Sequence, residues 1–426
     1  MSQLPSHHAS LQPWAIAWQV GCHIISDIVP ALASSSCRNT FFQQSHSHSS
    51  EASAICINLR HPAVCEPNSH TYIPQDSEYD NYIESDDNDA DRQSFYASTG
   101  GASIASKVTS YRYENGRRYH SYRDGTYYAP NDEAYSNYET IVHHLWLLTL
   151  HDQLFLAPIT KPERILDIGT GTGLWAIDMA DFFPGAEITA TDLSPIHSNN
   201  LPPNLHFEID DANSTFTYPA DHFDMIHMRG LTGCIQSWPL LYAQCLHALK
   251  PGAWLEHLEF SVETSAPPAS TDYNGQILTA FSQSILSVGT HKTGMSFNVI
   301  NEMHPLLSHP SSGFVDVHTQ TFIWPIGPWP KDPYLKDLGR WGERNWCDGI
   351  EGWVMALYTR LLGWTYDEVK AFVRDFQGVI KDRRGRLWQE VRVVWARKPF
   401  EGEVVDGKAG TTAGDGDGDD GMEMNK

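Results

Sequence analysis

Three glycines at alternate positions form a loop that could hold a nucleoside. They are Gly169, Gly171 and Gly173 in the run LDIGTGTG, directly after a short apolar stretch. Glycine permits a tight turn and lets backbone N–H groups approach a ligand closely. A dinucleotide-binding loop has the spacing G-x-G-x-x-G, whose third glycine would fall on Leu174. The observed spacing therefore favours an amino-acid-bearing nucleoside without a pyrophosphate, and a plain tight turn is the alternative.

Acidic side chains precede this loop and end the next two predicted strands. Asp167 lies before the glycines and could hold the loop. Asp192 could accept hydrogen bonds from both ribose hydroxyls, or else cap a helix. Asp211 could accept a hydrogen bond from an adenine amino group beside the small Ala212, or else lie in a solvated loop. Because ligands of open α/β sheets bind at the carboxyl ends of the strands, the order of these acids favours a nucleoside site.

Candidate proton acceptors lie in the fourth and fifth predicted strands. His227 belongs to one strand, and Glu256, His257 and Glu259 belong to the next. A general base is needed only if the reacting group must first lose a proton. The alternative for each histidine is a hydrogen-bonded position in the core or at its rim. The pattern therefore makes His227, His257 and Glu256 catalytic candidates and assigns no catalyst.

Alternating strands and helices must position these residues. The hydrophobic pattern predicts strands over 164–168, 187–191, 205–209, 223–228, 252–260, 314–324 and 387–396. It predicts helical segments over 139–156, 173–182, 239–249 and 272–287, and a helical block over 332–380 that contains a Thr365/Glu368 capping box. The alternation predicts an α/β fold with a mostly parallel sheet and helices on both faces.

Composition and charge argue against several classes of protein. The 426 residues carry a formal net charge of −23, and both ends of the chain are acidic, which argues against direct nucleic-acid binding. The sequence has no apolar run of about 18 residues, the length that a membrane-spanning helix needs. The seven cysteines form no C-x-x-C pair, so we expect free thiols in the cytoplasm or nucleus and no metal site.

Two segments of biased composition flank the predicted folded part. Residues 1–105 are rich in Ser, His and Asp, and residues 399–426 are rich in Gly and Asp. Such segments cannot bury enough apolar surface to offset their chain entropy. We therefore expect two disordered tails around one domain over residues 106–398.

The series of motifs resembles a known enzyme family. The runs LDIGTGTG, ATDLSPI, FEIDDAN, FDMIHMRG and LKPGAWLEHLEF resemble the motifs of class I S-adenosylmethionine-dependent methyltransferases. Residues 111–159 and the run LGRWGERNWCDGIEGWVMALYTRLLGWTYDEVKAF are similar to the fungal LaeA-like methyltransferases, a family that includes a regulator of secondary metabolism. The resemblance covers about residues 108–397. His257 departs from it, since the family more often has an apolar or Gln-like residue there.

The resemblance implies a fold, a cofactor and a set of contacts. The fold would be Rossmann-like, with a seven-stranded sheet and a helical insertion that caps the acceptor side before the last strand. The cofactor would be S-adenosylmethionine. The implied contacts with it are Asp167, Gly169, Thr170, Gly171, Gly173, Asp192, Leu193, Asp211, Ala212 and Met228.

The implied activity is methyl transfer to a small secondary metabolite or to a protein acceptor. The alternative is a cofactor-binding regulatory subunit of a transcription-control complex, with protein partners and little or no turnover. Tyrosines interleaved with arginines over residues 111–128 could shield the sulfonium as a cover over the site, or else simply pack on the sheet. The tyrosines are Tyr111, Tyr113, Tyr119, Tyr122, Tyr127 and Tyr128.

Overall fold

The computed structural model describes residues 110–123, 125, 127–197, 201–267 and 275–403. The predicted tail over 1–105 and most of the tail over 399–426 lie outside these ranges. The strands are β1 Arg112–Glu114, β2 Arg117–Tyr119, β3 Arg164–Ile168, β4 Glu187–Asp192, β5 Leu205–Ile209, β6 Phe223–Arg229, β7 Leu249–Ser265, β8 Val315–Pro325 and β9 Trp388–Arg397. The α-helices are α1 Glu133–Thr149, α2 Leu174–Phe182, α3 Trp238–Ala248, α4 Gln276–Gln283, α5 Thr290–Thr293, α6 Val299–Ser308, α7 Pro333–Leu362 and α8 Tyr366–Ile380.

Seven strands form one mixed sheet in the order β5-β4-β3-β6-β7-β9-β8. Strands β3 to β7 pair in parallel, whereas β9 runs antiparallel to both of its neighbours, β7 and β8. The order changes direction at β3, where β4 lies on one side and β6 on the other. This confirms the predicted mostly parallel seven-stranded sheet and places a topological switch point beside the glycine loop.

Both faces of the sheet are covered by apolar side chains. Ile165 packs with Met179 of α2 on one face. Its neighbour Leu166 packs with Leu241 of α3 and Met303 of α6 on the other face. Successive strand residues point to opposite faces, so the near-continuous apolar run of β3 buries both of its sides. No helix within the described ranges is long and apolar enough to cross a membrane.

Several element boundaries differ from the predicted ones. Helix α1 begins at Glu133 and not at residue 139, because the Asp132 side chain accepts a hydrogen bond from Tyr135 N and caps the helix. Strand β7 begins at Leu249 and ends at Ser265, since it pairs with β6 early and with β9 along most of its length. The helix predicted over 272–287 continues through a π-helical stretch at Ser284–Gly289.

The predicted helical block is an insertion between β8 and β9. It consists of α7 and α8, and the predicted capping box between Thr365 and Glu368 starts α8. Helix α7 runs against the end of β8 at Gly342, where an added Cβ would lie 2.2 Å from the carbonyl oxygen of Pro325. This close approach lets α7 pack along α1 and brings Trp353 to the cleft described next.

Candidate active site

A cleft opens at the carboxyl ends of β3, β4, β5 and β6, and the glycine loop forms one wall of it. The three loop glycines have φ of +71°, +58° and +81°, in the left-handed region that favours glycine. A Cβ at Gly169 would lie 2.3 Å from Leu231 Cδ2, and one at Gly173 would lie 2.4 Å from Phe207 Cζ. The backbone conformation and the lack of space therefore both require glycine here.

Asp192 connects β4 to the glycine loop. Its Oδ2 accepts from Gly171 N at 2.9 Å, and its Oδ1 accepts from Ser194 N at 2.9 Å. Residues 193–197, the described stretch that follows it, contain no helix for Asp192 to cap. Burial raises the pKa of Asp192 to about 6. Hydrogen-bond donors of a bound ligand would stabilise the charged form of this partly desolvated carboxylate.

Asp211 lies at the end of the cleft that follows β5. Its Oδ1 accepts from Asn213 N at 2.9 Å, and its Oδ2 lies 3.0 Å from Arg123 Nη1. Arg123 also donates to Ser214 Oγ at 2.7 Å. The arginine comes from the predicted tyrosine cover, so an ion pair attaches that segment to this end of the cleft.

The predicted tyrosine cover divides into two parts. Tyr127 and Tyr128 line the cleft, whereas Tyr111, Tyr113, Tyr119 and Tyr122 do not. The Tyr128 hydroxyl donates to Thr232 O at 3.3 Å, and its ring contacts Trp353. The rest of the segment forms the β1–β2 hairpin, which a two-bond pair between Arg117 and Asp132 holds to the start of α1.

Asp167 and His227 form a buried pair at the inner end of the cleft. His227 Nδ1 lies 2.8 Å from Asp167 Oδ1, and the imidazole stacks on the Trp175 ring at a centroid distance of 3.5 Å. Burial lowers the pKa of His227 to about 4, so the ring is neutral at pH 7. His227 Nε2 and Thr170 Oγ1 are buried and have no hydrogen-bond partner in the described part of the chain.

Two of the three catalytic candidates lie away from the cleft. Glu256 is fully buried and accepts from Leu156 N and Ala157 N at 2.7 and 2.6 Å. His257 is also fully buried, between the Tyr242 hydroxyl at 2.8 Å and Glu259 Oε1 at 3.0 Å. Because helices and loops cover both faces of β7, these side chains face packed protein. Contrary to the expectation that they could reach a reacting group, neither lines the cleft.

Most of the predicted cofactor contacts do line the cleft. They are Asp167, Gly169, Thr170, Gly171, Asp192, Leu193, Asp211 and Ala212. Gly173 lies against Phe207 and Met228 belongs to the core under α3, so these two do not line it. Met228 alternates with His227 and Arg229 along β6, and these two neighbours face the cleft instead.

Sequence reasoning missed several residues of the cleft. Glu139 of α1 accepts from Thr172 N at 3.1 Å, and burial raises its pKa to about 8. Arg229 ends β6 and also lines the cleft. In the sequence, Glu139 and Arg229 are each marked only as a charged residue within or at the end of an apolar segment. Tyr135, Tyr138 and Trp353 complete an aromatic wall, and no local pattern marked them for this position.

Comparisons with known proteins agree with this architecture. A profile of a methyltransferase-domain family matches residues 138–291. Methyltransferase pytC of Aspergillus terreus is 37% identical over 288 residues, which cover 66% of this chain and 86% of the relative. Secondary metabolism regulator LAE1 of Cochliobolus heterostrophus is 32% identical and matches 71% of this chain and 99% of its own length. The chain belongs to the LaeA-like methyltransferases. Secondary metabolism regulator laeA of Aspergillus fumigatus is 32% identical over 67% of this chain and 76% of the relative.

S-adenosylmethionine, the cofactor of these methyltransferases, suits the chemistry of the cleft. The cofactor is cationic at sulfur and at its amino group, and the cleft contains the carboxyl groups of Asp192 and Glu139. The orphaned polar atoms of Thr170 and His227 offer further hydrogen bonds at the inner end. The residues present therefore fit the cofactor of this LaeA-like methyltransferase.

Proposed function

We propose that this methyltransferase transfers the methyl group of S-adenosylmethionine to a small-molecule acceptor of fungal secondary metabolism. The observation that carries the proposal is the aromatic wall opposite the glycine loop, which Tyr127, Tyr128, Tyr138, Phe260 and Trp353 form. Aromatic walls with few polar groups are typical of sites for small organic ligands. The names of the relatives, a methyltransferase and regulators of secondary metabolism, support the same assignment.

We propose a binding role for the acidic residues at the carboxyl ends of β4 and β5. Asp192 would accept hydrogen bonds from the ribose hydroxyls, and Asp211 would accept from the adenine amino group beside Ala212. The backbone of the glycine loop, with Asp167, Thr170 and Leu193 near it, would hold the rest of the cofactor. The position of these residues in the cleft, at the carboxyl ends of the strands, supports the proposal.

The bound cofactor supplies an electrophilic methyl group on a positively charged sulfur. The chain's own residues then have to hold acceptor and cofactor in line and keep water out, and such alignment can supply most of the rate. His227 is a weak base because burial lowers its pKa to about 4. Asp167 accepts from its Nδ1–H, which leaves Nε2 as a hydrogen-bond acceptor. We therefore propose an orienting role for His227 and assign no general base.

Labelling with cofactor that carries a tritiated methyl group tests the proposal. A fungal extract is incubated with the protein and labelled S-adenosylmethionine, then separated into protein and small-molecule fractions. We expect label in the small-molecule fraction, and none with the Asp192→Ala variant. The partly exposed Asp337 on α7 lies outside the cleft, so Asp337→Ala is the matched control and should behave as the wild type.

Two other outcomes would change the proposal. Label in the protein fraction alone would make a protein the acceptor. Binding of S-adenosylhomocysteine without label in either fraction would favour a cofactor-binding regulatory subunit with protein partners. Two of the relatives are named as regulators of secondary metabolism. For the native protein we propose a cytoplasmic or nuclear location, which a fluorescent fusion in the fungus would test.

A further inference from the structure

An arginine at the inner end of the cleft has no assigned role. Arg229 lines the cleft, and its Nη2 lies 3.2 Å from His143 Nδ1. Within the described ranges, no carboxylate oxygen lies within 4.0 Å of the guanidinium. Arg229 is partly buried, and the partial desolvation of a guanidinium is costly when no direct ion pair offsets it.

The acids around Arg229 are already engaged with other groups. Asp167 is paired with His227, Asp178 lies 2.9 Å from His143 Nε2, and Glu139 accepts from Thr172 N. Burial lowers the pKa of Arg229 to about 10, and these three acids oppose that effect. The guanidinium therefore keeps its charge at pH 7, and its charge is balanced only at a distance.

His143 fixes the direction of the arginine. Because Asp178 accepts from His143 Nε2–H, the neutral imidazole presents its Nδ1 lone pair to Arg229. His143 is itself buried in α1, so this contact is held in place. The other N–H groups of the Arg229 guanidinium have no hydrogen-bond partner in the part of the chain that the structure describes.

We propose that Arg229, oriented by His143, is a carboxylate-binding subsite of the cleft. The planar fork of a guanidinium matches a carboxylate with two parallel hydrogen bonds. The inference rests on the proposed function, in which two ligands could bring a carboxylate: the amino-acid end of the cofactor, or the acceptor. Met228 pairs with Ile168 across the sheet, so Arg229 lies directly beside Gly169 of the loop. This position favours the carboxylate of the cofactor.

Calorimetry with two nucleosides tests the subsite. The probes are S-adenosylhomocysteine and its decarboxylated analogue, which keeps the amine. We expect Arg229→Met to weaken binding of S-adenosylhomocysteine by about 10- to 100-fold, the range expected for lost charged hydrogen bonds. Binding of the decarboxylated analogue should stay within about threefold. Arg229→Lys should lie between, and the exposed Arg340→Met on α7 is the matched control.

Each remaining outcome either decides whether the cofactor or the acceptor brings the carboxylate, or overturns the proposal. If Arg229→Met binds S-adenosylhomocysteine as tightly as the wild type does, benzoate is titrated into each protein saturated with that nucleoside. Benzoate binding that Arg229→Met abolishes would assign the carboxylate to the acceptor. If the wild type and Arg229→Met both bind benzoate, or if neither does, the proposal is overturned. Equal weakening of both nucleosides would make Arg229 structural. If Arg229→Met does not fold, the selectivity of Arg229→Lys decides. A wild-type protein that binds neither nucleoside would refute the proposed function itself.

Discussion

At the scale of single residues, the cleft contains two acids, Asp192 and Glu139, whose pKa values are raised by desolvation. Both line it, and the charge of Asp192 adds to the rise in the pKa of Glu139. Their backbone partners, Gly171 N and Thr172 N, lie next to each other in the glycine loop. A cationic ligand would relieve this repulsion, which links the charge of the site to the cofactor that the family uses.

Replacement of Asp192 by alanine should weaken cofactor binding without unfolding the protein. Hydrogen bonds to a charged group contribute about 1.5–3 kcal/mol each. Loss of two ribose bonds would therefore reduce the affinity for S-adenosylhomocysteine by about 10²- to 10⁴-fold. Calorimetry measures the effect, and the melting temperature checks the fold. An affinity within about threefold of wild type would mean that Asp192 only ties the loop.

Replacement of Glu139 by glutamine should change how stability depends on pH. Burial raises the pKa of Glu139 from 4.5 to about 8, so between these values the folded protein keeps a proton that the unfolded chain loses. The free energy of unfolding should therefore fall as the pH rises through this window. Glutamine cannot titrate, so the melting temperature of Glu139→Gln should increasingly exceed that of the wild type from pH 5 to 8. Glu133→Gln, at an exposed position of α1, is the control. A constant difference would contradict the buried titration.

At the scale of elements, α7 decides the shape of the acceptor side. It contacts α1 through Gly349, where an added Cβ would lie 2.4 Å from the Tyr138 ring, and it presents Trp353 to the cleft. The Trp353 indole N–H donates to the Tyr138 hydroxyl at 3.2 Å. The aromatic wall therefore depends on how closely this inserted helix approaches the sheet.

Two glycine-to-alanine replacements test that close approach. Gly342→Ala would place its Cβ 2.2 Å from the Pro325 carbonyl oxygen, so α7 would have to shift. We expect a loss of about 1–3 kcal/mol in the free energy of unfolding. Gly378 in α8 has nothing within 4 Å of an added Cβ, and Gly378→Ala should stabilise the protein by about 0.5–1 kcal/mol. Thermal unfolding of both variants checks the pair, and equal effects would contradict the packing argument.

The two parts of the tyrosine-rich segment should respond differently to mutation. Tyr128 lines the cleft and is buried, whereas the Tyr113 side chain is 70% exposed. Tyr128→Ala should remove ring contacts with Trp353 and Phe297 and weaken S-adenosylhomocysteine binding by about tenfold, equivalent to about 1.4 kcal/mol. Tyr113→Ala should bind as the wild type does. Equal affinities of the two variants would show that the segment only packs on the sheet.

At the scale of the whole molecule, the domain should work without its predicted tails. A chain over residues 99–403 should keep the melting temperature and cofactor affinity of the full protein. A chain that starts at Asn131 should fold but bind about tenfold more weakly, because it lacks Tyr127, Tyr128 and Arg123. Calorimetry on the two truncated chains measures this, and equal affinity would place the cover outside the binding site.

Local sequence determined the elements and the loop of this protein. The apolar runs of β3 and β5 are as predicted, the Thr365/Glu368 box starts α8, and the glycine spacing marks the turn after β3. These features depend on residues a few positions apart, whose conformational preferences the chain carries with it. The roles proposed for Asp192 and Asp211 rest on the same local order and await the binding measurements.

The tertiary structure decided which side chains share the cleft. Glu139 meets Thr172, Arg229 meets His143, and Trp353 meets Tyr138 across long stretches of chain. It also places the His257 and Glu256 side chains in packed protein outside the cleft, although both residues lie in the strand next to His227. Whether a polar residue on a buried strand faces a cleft or packed protein depends on which elements cover that face. The covering elements come from distant parts of the sequence, so only the folded structure could settle these positions.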